Sequence, residues 1–556
     1  MNEDIVLIGE TDYRDRKLQF GIKIDDRRRH FYIIGRSGTG KTQLQQTLAI
    51  HDIQHGRGVG IIDPHGEFTE RLLKFIPKER INDVVYFNPA DINYPIGFNV
   101  MESVDSEHRH IVAASLLSVF KKIWPDVWSA RMEYILNNTI LALLEYPQST
   151  LLSINRMLAD KDFRKDVVIN LKDPIVKAFW TDEFARYHDR FQVEAIAPIQ
   201  NKVGQFASNP LIRNIVGQVV SKINIREIID NKKILIARMS TGLIGEGNAS
   251  LLGGLLITKL QQAAMSRIDV PEASRQDFFL FIDEFQNFAT ESFANILAEA
   301  RKYRLDLTLA HQYVEQLPDT IKAAIFGNVG SMAIFRIGPH DAEDLRVEFE
   351  PDVTATDLVN IPNWKFYMKL MIDGVVSAPF MASTLAPLPV PDQSYDIEII
   401  DASRAAYGTP KELVENAISE WMLTVAGEKM DKEDKEKILD KETPLIHTGT
   451  CQTCGRGVQV PFEPDPKKPL YCKQCLKKVK RERAPSPASA PAPVPGKVKP
   501  PLPKQVSPEH QAAVAVSGAN QEKFKQDLAD LLQRVTPQSY GTPADTPVDD
   551  KKPIEA

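Results

Sequence analysis

The sequence predicts an α/β fold built on a mainly parallel sheet, and three observations carry that prediction. From residue 30 onward, short apolar runs rich in β-branched residues alternate with longer helical patterns. Such runs suit strands covered on both faces, and helices between them impose parallel pairing. A glycine-rich octet, residues 35–42, stands between the first of these runs and a helical pattern. Between about residues 104 and 227 the alternation stops and apolar positions recur every three or four residues, which predicts an all-α insertion.

Taken in order, HFYIIG (30–35) reads as a buried strand and KTQLQQTLAIHDIQH as the helix after it. GVGIID (58–63) and DVVYFNP (83–89) are the next strands. EHRHIVAASLLSVFKKIW and SARMEYILNNTILALLEY open the helical insertion. Strands return as KILIARMS (233–240), FFLFID (278–283), LDLTLAHQ (305–312) and SMAIFRIG (331–338), and KFYMKLMIDGVVSAPFMAST reads as a hairpin turning at Asp373-Gly374. A helical stretch follows at 411–440, with a strongly charged end.

The octet GRSGTGKT satisfies the G-x-x-x-x-G-K-[ST] pattern in a strand–loop–helix setting, which makes it a specific signal. Gly35, Gly38 and Gly40 let the backbone curl, so that with Arg36, Ser37 and Thr39 it turns N–H groups toward phosphates. Lys41 places a cation on the β/γ oxygens, and the Thr42 hydroxyl can ligate magnesium. FFLFIDEF supplies the second half: Asp283 emerges from an apolar strand to hold magnesium, and Glu284 beside it can activate water. Adjacent carboxylates are a weak motif alone and a strong one beside the octet. ATP and magnesium are therefore expected. Gln312 reads either as a γ-phosphate sensor or as a surface glutamine. Arg301, Lys302 and Arg304 read either as arginine-finger candidates or as cations at a helix end, with Arg336 as a further candidate finger. His65 in DPHGE is either a site residue or a turn residue.

All four cysteines fall between 451 and 475, as two C-x-x-C pairs separated by seventeen residues. Cys451, Cys454, Cys472 and Cys475 can close a tetrahedral site around a structural zinc, with the look of a zinc ribbon. The basic run KKVKRER (477–483) can meet phosphates or simply face solvent. Beyond it lie a Pro/Ala-rich stretch unable to build a core, and a short helix with Phe524, Leu528, Leu531, Leu532 and Val535 on one face, suited to docking a partner.

With a net charge of −6, the chain has no global basic field, so a nucleic-acid partner would have to be met by local Lys and Arg. No run of 18 or more apolar residues is readable and the N-terminus lacks a signal-peptide layout. A cytoplasmic protein is expected, working at the inner face of the membrane where the tail docks on a membrane or secretion-machinery partner.

RHFYIIGRSGTGKT, GIIDPHGE, FIDEFQNFAT, EARKYRLDLTLAHQY and FGNVGSMAIFRIGPHDAEDL together resemble the FtsK–HerA superfamily of ring-forming DNA pumps. Within it they are similar to the TraG/TraD-type conjugative coupling proteins, over roughly residues 10–387. The resemblance implies a RecA-like core, a homohexamer with ATP at subunit interfaces, and DNA, single- or double-stranded, as the translocated substrate. It also implies Arg301 as the finger, by its match to the family's R-K pair. The chain departs from the membrane-spanning members in lacking transmembrane helices, and from HerA repair motors in having only 34 residues before Gly35. The expected organisation is a RecA-like core at 1–103 and 228–390 and inserted helices at 104–227. A helical linker (391–445), a zinc ribbon (446–480), a disordered Pro/Ala-rich linker (481–519), an amphipathic helix (520–536) and a disordered tail (537–556) complete it. The leading expectation is an ATP-driven DNA translocase. The alternatives are a HerA-like DNA-processing motor, a P-loop adaptor that uses nucleotide as a switch, and a motor whose cargo is protein.

Overall fold

The computed structural model describes residues 4–13, 16–102, 105–426, 447–455, 457–460, 469 and 475. The chain divides into two units, Met1–Asp440 and Lys441–Ala556. Cys472, the basic run, the Pro/Ala-rich linker, the amphipathic helix and the tail lie outside the described residues.

The strands of the first unit are β1 (Ile5–Tyr13), β2 (Arg16–Lys23), β3 (Phe31–Ile34), β4 (Gly58–Asp63), β5 (Val84–Phe87), β6 (Ile234–Arg238), β7 (Phe278–Ile282), β8 (Leu305–His311), β9 (Ser331–Ile334), β10 (Lys365–Lys369), β11 (Met371–Ile372), β12 (Val375–Val376) and β13 (Phe380–Thr384). Eleven of them form one sheet in the order β2-β1-β13-β10-β9-β3-β8-β7-β4-β6-β5. From β9 to β5 every pairing is parallel, and from β9 outward to β2 every pairing is antiparallel.

Successive residues of the central strands enter different cores, as a sheet covered on both faces requires. Phe31 and Ile33 pack on one side, Tyr32 and Ile34 on the other. All four are buried, which is why the run reads as continuously apolar. The β11–β12 turn falls where expected: Asp373 and Gly374 both take positive φ, at 50° and 82°, and their N–H groups donate to the Asp26 carboxylate. β1 and β2 are additions to the expected fold. Gly9 and Gly21 lie where a Cβ would meet the Ser383 and Val6 carbonyl oxygens, and a register shift between Leu7 and Gly9 breaks the ladder.

The segment from Arg109 to Asp230 is helical, with Ser129, Asp160, Asp173, Asn209 and Asn224 each capping a helix through its side chain. Its core runs without a break into the Tyr32 face of the sheet. The expected linker also packs back. Helix Asp396–Tyr407 buries Ile399 in the opposite core, and helix Lys411–Ala426 sets Val414 and Ile418 against Leu152.

In the second unit β14 (His447–Thr450) pairs antiparallel with β15 (Gly457–Val460). Between them Gly455, at φ 69°, donates its N–H to the Cys451 carbonyl and closes the turn that carries Cys451 and Cys454.

Candidate nucleotide site

Parallel strands share one direction, so their C-terminal ends gather the loops at one edge of the sheet. At that edge the 35–42 loop leaves β3, the Asp283-Glu284 pair leaves β7, Gln312 leaves β8, and residues 63–67 leave β4. They enclose a cleft of about 730 Å³ lined by residues that include Ser37, Gly38, Gly40, Lys41, Thr42, Asp283, Glu284 and Gln312. The structure thus brings together most of the candidates that the sequence scattered over 270 positions.

The loop is built to receive an anion. Gly40, at φ 122°, N-caps helix Lys41–Gln54, whose first N–H groups have no partner within the helix. A Cβ on Gly40 would press on the rings of Phe335 and Trp364 at 3.0 and 3.3 Å. The Thr39 hydroxyl donates to the Arg36 carbonyl at 2.7 Å and ties the loop to itself. Lys41 is only 5% exposed, and its Nζ donates to the Gly35 and Arg36 carbonyls at 2.6 and 3.2 Å. Burial lowers its pKa, opposed by the Glu284 and Asp283 charges.

Asp283 Oδ1 accepts from Gln45 Nε2 at 3.0 Å. Burial, reinforced by Glu284 and Asp63, pushes the Asp283 carboxyl up to about 6. A buried carboxylate with acidic neighbours is a poor anion by itself and a good ligand for a divalent cation. Glu284 adopts the left-handed conformation, φ 45° and ψ 49°, which few non-glycine residues take. Both its oxygens are held: Gln312 Nε2 donates to Oε1 at 2.6 Å and Gln286 Nε2 to Oε2 at 2.9 Å. Beneath Gln312, His311 pairs with the Tyr32 hydroxyl, and burial, with the Lys41 charge, lowers its pKa to about 3.

Asp63 organises the opposite wall. Its carboxylate accepts from the N–H groups of His65 and Gly66 at 2.8 Å and of Thr69 at 3.0 Å, so His65 is presented to the cleft by a fixed turn.

The finger candidates are not among the residues lining the cleft. Arg301 is exposed at the entrance to β8, the end opposite Gln312. Seven residues of strand separate the two, roughly 20 Å, so Arg301 cannot enter its own chain's cleft. Lys302 is exposed beside it, and Arg304 lies 3.7 Å from Asp277. Arg336 donates to Asn363 at 2.8 Å, while its carbonyl accepts from the Arg36 N–H. Gln45, Gln286 and Trp364 went unread in the sequence. No spacing marks Gln45 or Trp364, because they meet Asp283 and the phosphate loop through tertiary contacts, whereas Gln286 lies two residues from the Glu284 it holds and was open to a local reading.

In the second unit the Sγ atoms of Cys451, Cys454 and Cys475 all lie within 4.8 Å of one another. Zinc–sulfur bonds of about 2.3 Å place tetrahedral thiolates about 3.8 Å apart, so this cluster fits such an ion.

Among the described residues, no helix is long and apolar enough to cross a membrane. Comparison with known proteins adds the following. A family model described as a probable treble clef zinc finger matches residues 445–480, where a zinc ribbon was expected. No curated protein matches the chain. Among solved structures, the conjugative coupling protein TrwBdeltaN70 in its unbound monoclinic form matches at 18% identity and a TM-score of 0.48, over 67% of this chain and 87% of that one. The plasmid coupling protein TrwB in complex with ADP and Mg2+ matches at 17% identity and 0.49, over 68% and 90%. VirB4 of Thermoanaerobacter pseudethanolicus matches at 15% identity and 0.44, over 70% and 97%. The model of the type IV secretion-system coupling protein DNA-binding domain matches residues 19–344, more than half of the chain, which therefore belongs to that family.

Proposed function

We propose that this chain is an ATP-hydrolysing motor that moves DNA as a homohexamer in type IV secretion or conjugation. The observation that carries the reading is the meeting of Lys41, Asp283, Glu284 and Gln312 in one cleft at the C-terminal edge of the parallel strands. The loop from Gly35 to Thr42 would bind the triphosphate through its N–H groups and Lys41. Thr42 and Asp283 would hold magnesium, which when bound neutralises charge on the β and γ oxygens. Glu284, fixed by Gln286 and Gln312, would orient the attacking water and take its proton. A nucleotide switch without turnover has no use for a carboxylate held at both oxygens, and this favours a motor over an adaptor.

The exposed Arg301 would serve a neighbouring subunit's site. The cysteine cluster, with Cys472 as its fourth ligand, would hold a structural zinc that shapes the second unit and leaves no open position for catalysis. DNA is the expected substrate, and the family's name rests on a DNA-binding domain.

The test is the ATPase rate of the purified chain with and without single- and double-stranded DNA, beside Lys41→Ala. Turnover that is raised by DNA and lost in Lys41→Ala is expected. Turnover indifferent to either form of DNA but raised by a secreted protein would transfer the reading to protein cargo. Absence of turnover with intact ATP binding would favour the adaptor.

A further inference from the structure

Trp364 is an unusual residue for an exposed position. It is 52% exposed and lines the cleft, and it sits at φ 68°, where a bulky side chain is strained. Two backbone hydrogen bonds hold it there. Its N–H donates to the Thr39 carbonyl inside the phosphate loop, and its carbonyl accepts from Thr384, each at 2.9 Å. The indole lies over Gly40, its Cε3 3.3 Å from where a Cβ would stand. Strain of this kind persists where surrounding contacts impose it, and it concentrates at ligand clamps.

The sheet order says which part of a ligand would lie there. β3, which carries the phosphate loop, lies between β8 and β9. Glu284 and Gln312, at the ends of β7 and β8, stand on one side of the loop and define the hydrolysed end of the triphosphate. Trp364 immediately precedes β10, which lies beyond β9 on the other side. A nucleotide extended along the loop with its terminal phosphate at Glu284 therefore carries its sugar and base toward Trp364. An aromatic face offered to a flat heterocycle binds it by stacking, which tolerates any base. We infer that Trp364 is the base-stacking residue of the cleft, so that the site grips nucleotide at both ends and accepts purine triphosphates with little discrimination. This rests on the reading of the cleft as an ATP site.

Trp364→Ala, Trp364→Asn and Trp364→Phe are compared with the parent chain by calorimetric binding of Mg-ATP, Mg-GTP and inorganic tripolyphosphate. Asparagine tolerates positive φ, so Trp364→Asn removes the ring without adding backbone strain. Both ring-less variants should bind ATP and GTP roughly tenfold more weakly, with tripolyphosphate unchanged, and Trp364→Phe should stay within about threefold of the parent. Equal weakening of all three ligands would overturn the inference, making Trp364 a prop for the loop. No change in any of them would overturn it too. A parent chain that binds neither ATP nor tripolyphosphate would instead bring down the ATP-site reading itself, and the inference with it.

Discussion

Gln312→Ala separates two roles for Gln312, and the geometry sets the size of the effect. As a sensor it would bond the γ-phosphate directly. In the structure its Nε2 donates to Glu284 Oε1 at 2.6 Å, so it positions the carboxylate. Glu284 is 6% exposed and carries a left-handed backbone, so its side chain depends on the two amides that face it. A hydrogen bond to a charged group is worth about 1.5–3 kcal/mol. At about 1.4 kcal/mol per decade of rate, losing that from the transition state lowers turnover roughly ten- to a hundredfold. ATP affinity should stay within about threefold, because no ground-state contact to the phosphates is removed. The decisive measurement is a double-mutant cycle with Glu284→Gln, using single-turnover hydrolysis of labelled ATP to reach slow rates. In Glu284→Gln one accepting oxygen becomes an amide, and the carboxylate that Gln312 serves is gone. The further loss from Gln312→Ala should then shrink to about threefold or less, a coupling of at least about 0.7 kcal/mol. If Gln312→Ala lowers hydrolysis by the same factor in both backgrounds, it acts on the phosphate independently of Glu284 and the positioning argument fails.

Arg301→Ala should bind ATP normally and hydrolyse it at least about a hundredfold more slowly in the assembled protein, since the side chain is out of reach of its own cleft. An image of the ATP-bound assembly with the Arg301 guanidinium far from every γ-phosphate would exclude the role. Elemental analysis should find one zinc per chain, lost in Cys451→Ser/Cys472→Ser, while ATP turnover survives; a metal-free parent chain would contradict this. His30 is buried, its Nδ1 accepting from the Leu307 N–H at 3.1 Å and its Nε2 facing the Leu297 carbonyl at 3.2 Å. Burial lowers its pKa to about 4. Between the ordinary value near 6.5 and 4 the unfolded chain binds the extra proton, so stability falls on acidification through this window by up to about 1.4 kcal/mol per pH unit. Asp283, raised to about 6, acts with the opposite sign between 6 and 3.8, so the readout is a difference. Denaturant unfolding at pH 7.5 and 4.5 should show His30→Asn losing less stability than the parent chain, and equal losses would refute the assignment.

The sequence alone determined the strands from β3 to β13 and the phosphate loop, because both are local. Residues 31–34 and 278–282 are buried on both faces, so burial writes itself into consecutive letters. The octet needs only its own glycines and the strand and helix beside it. Asp283 and Glu284 were legible for the same reason, as the polar residues that end an apolar strand. β1 and β2 escaped: β1 opens with the apolar run at residues 5–8 but stands apart from the strand–helix alternation that begins at residue 30, and β2, the antiparallel edge strand with Leu18 64% exposed, has no unbroken apolar run. The helices after residue 395 were read as a linker, since what docks them is the surface they meet, Leu152 for Val414 and Ile418. Tertiary structure alone decided how the cleft is furnished. Gln45 matters only because its amide meets Asp283 across the fold, and Trp364 reaches the phosphate loop only because β10 turns back beside β9. Such contacts depend on strand order, and strand order is settled by which apolar faces can be covered at once, a property of the whole chain that no window of residues contains.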